Sequence, residues 1–398
     1  MIKYLTLGAL FAFNCTIACA GELQDRQTAR QHVEDLFIQG NYAELEKIYH
    51  HIKDNDVRTG SGINALDEEF YNGLWSNIYQ VPPKFKVWDD DEKSLKKWMV
   101  QFPTSPAPRI AYAKLLLEHG WAYRGYATSD NVGKMDWKPF QQYALSSQQY
   151  LKSIKKLSAS DPQWYVVSLQ TALVTDKDEA SYQSLLNEAA TKFPEYYGIY
   201  YSALTHYLPM WGGSFDALDH LANFAAEKTK QKDGDELYAR IYWGIEGEAA
   251  NGRFNWVKDT KLDWARMKVG LNGIIAKYPS DWNINHYAYL ACTAKDQPQT
   301  ALLFKQINGY VKENWKSRFS YGYCQAYASN TLEEYNKDLN ANGMTLDPVA
   351  RQKYHEYMAA FKAYESKTNA LGYKYDSHDT DDYQQKYNEY IKAMSENQ

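Results

Sequence analysis

The chain is poor in cysteine, has no long apolar run after its first twenty residues, shows no excess of basic charge and contains no established catalytic spacing. Of four cysteines in 398 residues, Cys15 and Cys19 fall in the opening segment and only Cys292 and Cys324 remain beyond it. An even pair in an exported chain reads as one disulfide, and two buried free thiols are the alternative. If the two cysteines sit on neighbouring antiparallel helices, the bond locks that hairpin and contributes about 2 to 4 kcal/mol through loop closure. With no later apolar stretch near the roughly 20 residues a bilayer crossing needs, no membrane span is expected. Basic residues number 44 against 49 acidic, and leaving out residues 1–20 removes only Lys3, so the remainder is net acidic. Nucleic acid is therefore excluded as a partner, because phosphate neutralisation needs a basic surface.

The missing catalytic signatures exclude several chemistries. His355 and Glu356 have no second histidine at the zinc-protease spacing. Ser61 lies outside a Gly-x-Ser-x-Gly elbow, and no phosphate-cradling loop ends in Lys-Ser or Lys-Thr. The cluster Asp376, His378, Asp379, Asp381 and Asp382 holds donors enough for a divalent ion but reads as a solvated acidic loop. Neither a metal nor a cofactor is expected.

What is present begins with Lys3, an apolar run from Leu5 to Phe13 and small residues through Ala18-Cys19-Ala20, the layout of a secretory signal peptide cleaved after Ala20. Export to a periplasm follows, with a soluble mature protein. Lipidation of Cys19 within "TIAC", giving an outer-membrane lipoprotein, is the rival reading, and Thr16 departs from the leucine usual there.

Apolar residues recur at three- and four-residue spacing in "YAELEKIYHHI", "YQSLLNEAA" and "LDHLANFAAEK", the periodicity of amphipathic helices. "YVVSLQTALV" is β-branched but runs straight into helical sequence and is read as helix. Pro103, Pro162, Pro194 and Pro279 follow similar apolar pairs, and each is expected to open a helix, with Asp161 capping the one at Pro162. Pro162 and Pro194 are 32 residues apart, close to the tetratricopeptide period of 34. Residues 56–70 and 86–94 read as surface connections. The 35 tyrosines suit helix seams, where a ring packs and a hydroxyl finds a polar partner. The expected architecture is all-α: a signal peptide at 1–20, an α-α superhelix of stacked helical hairpins at 21–345, and a C-terminal helical tail or cap at 346–398.

Two stretches stand out as a candidate ligand site. "EHGWAYRGYA" carries Trp121 and Arg124, and "LPMWGGS" carries Trp211, Gly212, Gly213 and Ser214. An arginine fork binds carboxylates in bidentate fashion, so Trp121, Arg124 and Trp211 would form an aromatic and cationic pocket for an acidic or peptide ligand. The structural reading of "LPMWGGS" is a joint, in which Pro209 weakens one helix end, Gly212 or Gly213 supplies a positive φ, Ser214 caps the next helix and Trp211 plugs the seam.

The elements Trp121 to Gly125, Asp161 to Tyr165 and Pro209 to Ser214, with "HYAYLACTAKD" from His286, resemble those of a bacterial exported family known only as a domain of unknown function. The resemblance spans roughly residues 37–307 and leaves the tail outside. It implies a tetratricopeptide-like helical architecture and no established activity. Together these readings point to an exported binding scaffold for a protein or peptide partner. A carbohydrate-active enzyme or glycan binder is the alternative, since plentiful carboxylates and aromatics would suit it.

Overall fold

In a computed structural model the described residues are 21–125, 134–176, 178–249, 254–315, 318–333, 335 and scattered positions between 353 and 389. The proposed signal with Cys15 and Cys19, His355, the acidic loop at 376–382 and most of the 346–398 tail lie outside them. The described chain is all-helical with no strand; one isolated bridge joins Arg58 and Asn64.

Helices α1 (Glu22–Gln39) and α2 (Tyr42–Asp54) open the fold. A π-helical turn at Leu66–Tyr71 and the short α3 (Asn72–Trp75) follow. Then come α4 (Val87–Gln101), α5 (Ala107–Arg124), α6 (Lys134–Ser158), α7 (Pro162–Thr175), α8 (Glu179–Lys192) and α9 (Gly198–Tyr207). The array ends with α10 (Phe215–Asp233), α11 (Glu236–Ala249), α12 (Trp264–Lys277), α13 (Asp281–Thr293), α14 (Gln297–Phe304) and α15 (Arg318–Ala328). Each helix packs on the next from α4 through α15, while α5 also packs on α7, α7 on α9, α9 on α11 and α8 on α10. This two-layer stacking is the superhelix of helical pairs that the periodicity predicts.

Of the four prolines expected to start helices, only Pro162 does so, with the Asp161 carboxylate accepting from the Gln163 N–H at 2.8 Å. The other three instead stop helices. Phe102, Phe193 and Tyr278 stand immediately before Pro103, Pro194 and Pro279, and all three occupy C-cap positions with φ of −126°, −136° and −132°. A residue before proline is pushed out of the helical region by clash with the ring. The recurring signal is therefore aromatic-Pro as a helix stop, followed by a short linker to the next helix.

Both segments read as surface connections belong elsewhere. Residues 86–94 form the beginning of α4, where Asp89 and Asp90 favour the positive helix end and Trp88 is buried. Residues 56–71 thread across the inner face made by the odd-numbered helices. The Asn64 side chain accepts from the Tyr197 N–H at 3.0 Å, Arg58 donates to the Glu195 carbonyl at 2.9 Å, and Gln163 donates to Asp67 at 2.9 Å. The Ser61 carbonyl accepts from Arg240 at 2.8 Å and Asn283 at 3.3 Å. Gly62, at φ +84°, lies so close to Tyr278 that a Cβ would come within 2.5 Å of its ring. Polar composition suggested exposure, but here the polar groups are satisfied by side chains from α7, α11 and α13 and by backbone groups of the α8–α9 connection. Arg26 of α1 lies 5.1 Å over the Trp282 ring of α13, so the N-terminal helix and the inserted segment bridge the array.

Tyrosine fills the core by pairing its hydroxyl with carboxylates. Tyr49 and Tyr71 both donate to Asp161 at 2.7 Å, Tyr197 donates to Asp233 at 2.7 Å, and Tyr242 donates to Asp219 at 2.9 Å. Cys292 and Cys324 form a disulfide with Cα atoms 5.7 Å apart. They lie on α13 and α15 with α14 between, so the bond closes a three-helix unit instead of one hairpin.

Candidate functional site

The structure brings the two singled-out stretches together. Trp121 and Arg124 end α5, and the Gly125 N–H caps the helix by donating to the Trp121 carbonyl at 2.8 Å. Trp211 arrives from the α9–α10 connection and meets Trp121 edge to face, with ring centroids 6.1 Å apart. The Arg124 guanidinium lies 5.2 Å from the Trp121 ring centre and 5.3 Å from that of Trp137, held between two indoles. Its Nη1 donates to the Gly125 carbonyl at 3.0 Å. Burial lowers the Arg124 pKa, yet a guanidinium stays cationic in proteins.

Sequence reasoning missed Trp137 and Phe140 of α6 and the surface role of Met210. Phe140 packs on Trp121 at 4.8 Å and on Trp137 at 5.7 Å. The spacing of Trp137 and Phe140 on one helical face was a visible signal, but which helix they would meet depended on how α5 and α6 pair.

"LPMWGGS" is both a joint and part of this patch. Tyr207 ends α9, Pro209–Trp211 make a single 3-10 turn, and Gly212 takes φ +92°. Gly213 is needed for space, since a Cβ there would come 2.1 Å from the Tyr207 carbonyl oxygen. The Ser214 hydroxyl accepts from the Ala217 N–H at 3.1 Å, and Asp216 in the first turn pairs with Lys261. Trp211 does not plug a seam: it is 40% exposed and Met210 is 39% exposed. The 3-10 turn lifts both side chains to the surface.

Carboxyls with raised pKa lie elsewhere. Burial pushes Asp67 up to about 6, Glu69 to about 7 and Asp91 to about 6, with neighbouring acids adding to each. None of the three lines the principal cavities, of about 520, 510 and 760 Å³. Among the described residues no group of three histidine, cysteine, aspartate or glutamate side chains has metal-binding geometry, and no helix is long and apolar enough to cross a membrane. Comparison with protein-family models, curated proteins and solved structures gave no match to this chain.

Proposed function

We propose that this protein is an exported helical-repeat binding scaffold that holds a protein or peptide partner on the patch formed by Trp121, Arg124, Trp137, Met210 and Trp211. The observation that carries this reading is the exposure of Met210 and Trp211 beside a cation clamped between two indoles. Tryptophan, methionine and arginine are the residues that protein interfaces concentrate at their cores. The centre of the inner face is occupied by residues 56–71, so the partner is assigned to the helix-end patch. Separation of the perturbed carboxyls from the cavities favours binding over hydrolysis. The disulfide and the leader-like opening support a periplasmic location, and the ordered tryptophan, proline and glycine motifs support membership of the exported family that they resemble.

The test is crosslinked affinity capture from envelope extract with the full chain and with Trp211→Ala, scoring proteins and glycans in parallel. A protein recovered with the parent and lost with Trp211→Ala supports the reading. Glycan enriched without protein, or capture indifferent to Trp211, overturns it.

A further inference from the structure

A second site lies away from the aromatic patch. The end of α2, the start of the inserted segment, the α6–α7 corner and the α8–α9 corner enclose a cleft of about 520 Å³ that is open to solvent on one side. Its walls are apolar where Ile52, Leu66, Phe193 and Tyr196 meet, and Lys53 and Lys192 also line it.

The carboxylates at this cleft are already engaged. Asp56 pairs with Arg58 at 3.0 Å and with Lys232 at 3.8 Å, Lys232 also pairs with Glu195, and Lys53 lies 3.7 Å from Asp54. Of the four charged residues that line the cleft, Lys53, Lys192, Asp56 and Glu195, both carboxylates are thus already paired with Arg58 or Lys232. Lys192 forms no ion pair among the described residues. Its ammonium donates to the Ala159 carbonyl and lies 5.3 Å over the Phe193 ring and 5.7 Å over the Tyr165 ring. Glu188, the nearby acid of α8, is already paired with Lys155 at 2.9 Å.

We propose that this cleft captures the C-terminal residue of a polypeptide, a large apolar side chain entering between Leu66 and Phe193 and the α-carboxylate meeting Lys192. The volume falls in the range of small-ligand sites. Apolar walls favour an aromatic or branched side chain, and an ammonium outside any ion pair suits a carboxylate. A free acid of that size would favour an enclosed cavity that buries most of its surface, whereas the open side leaves an exit for the rest of a chain. Extended peptides are recognised in this way, with pockets for side chains and a positive site for the terminus. The proposal goes beyond the scaffold reading and does not depend on the Trp211 patch.

The probe is a fluorescently labelled alanine–serine hexapeptide ending in phenylalanine with a free carboxylate, titrated by anisotropy into the full chain. Saturable binding is expected, weakened about tenfold or more by C-terminal amidation, by terminal Phe to Ala, and by Lys192→Met. Lys192→Arg keeps the charge and should retain most of the affinity, and Lys53→Met, which leaves the Ala159 contact intact, should weaken binding to a smaller degree. Far-UV circular dichroism and melting of each variant separate loss of the site from loss of the fold. No binding to the parent, equal binding of the amide, or Lys192→Met binding as tightly as the parent overturns the proposal. Competition by N-acetylphenylalanine as strong as by the unlabelled peptide overturns the polypeptide assignment. Trp211→Ala is expected to bind the probe like the parent, so failure here and failure of the patch are read separately.

Discussion

Asp91 offers a test of how the core handles charge. It lies in the first half of α4, is 7% exposed, and accepts two hydrogen bonds at 3.0 Å from the Asn77 amide. Burial raises its pKa from 3.8 to about 6 against the opposing pull of Asn77, and Asp90 and Glu34 push the same way as burial. A carboxyl whose folded pKa exceeds its unfolded value favours the fold while protonated, and that contribution is lost as pH rises through the folded pKa. Between pH 4 and 6 this group therefore makes the protein less stable with rising pH. A rise of about two pH units, at about 1.4 kcal/mol for each, gives roughly 3 kcal/mol of cost above pH 6. Asp91→Asn removes the ionisation and keeps an acceptor for Asn77. After the new amide's own desolvation, a gain of about 1 to 2 kcal/mol at pH 7.5 is expected, with little change at pH 4. Urea denaturation of parent and variant from pH 4 to 7.5 measures both numbers. Equal or lower stability of the variant at pH 7.5, with an unchanged pH slope, would refute the reasoning and show that Asn77 needs the carboxylate.

Two further outcomes follow from local geometry. Gly213→Ala drives a Cβ into the Tyr207 backbone and should cost about 2 to 4 kcal/mol, whereas Gly213→Ala at wild-type stability, seen in thermal melts, would mean the joint relaxes freely. Cys292→Ser opens a loop spanning 32 residues of separation and should lower stability by about 2 to 4 kcal/mol; reduction by dithiothreitol should destabilise the parent by the same amount and leave the variant unchanged.

Legibility followed the range of the interactions concerned. The Ser214 cap, the Gly212 turn and the Asp161 cap were readable because each depends on backbone within three residues of itself. Of the four prolines, Pro162 starts its helix as expected and the other three were read at the right places with the wrong polarity, because a proline permits a helix start and also enforces a stop just before itself. The aromatic residue preceding three of them was the missing clue. Trp121, Arg124 and Trp211 were singled out from composition at helix ends, but their meeting is a fact of packing, as is the arrival of Trp137.

Residues 56–71 show where local reading ends. Their glycine, serine, threonine and charged side chains have the composition of an exposed loop, yet Ser61 and Asn64 are 1% and 2% exposed. Nothing within the segment signals that Arg240, Asn283 and Tyr197, more than a hundred residues away, will satisfy it. The amino-acid sequence by itself determined the helical periodicity, the caps and stops, the tyrosine-rich core and the pair of cysteines beyond the opening segment, since these are properties of spacing and side-chain chemistry. Only the tertiary structure decided that the inner face is filled from within, that a cation is clamped between two indoles, and that Lys192 forms no ion pair among the described residues. Each of those depends on which distant helices become neighbours, and stacking order is a property of the whole array.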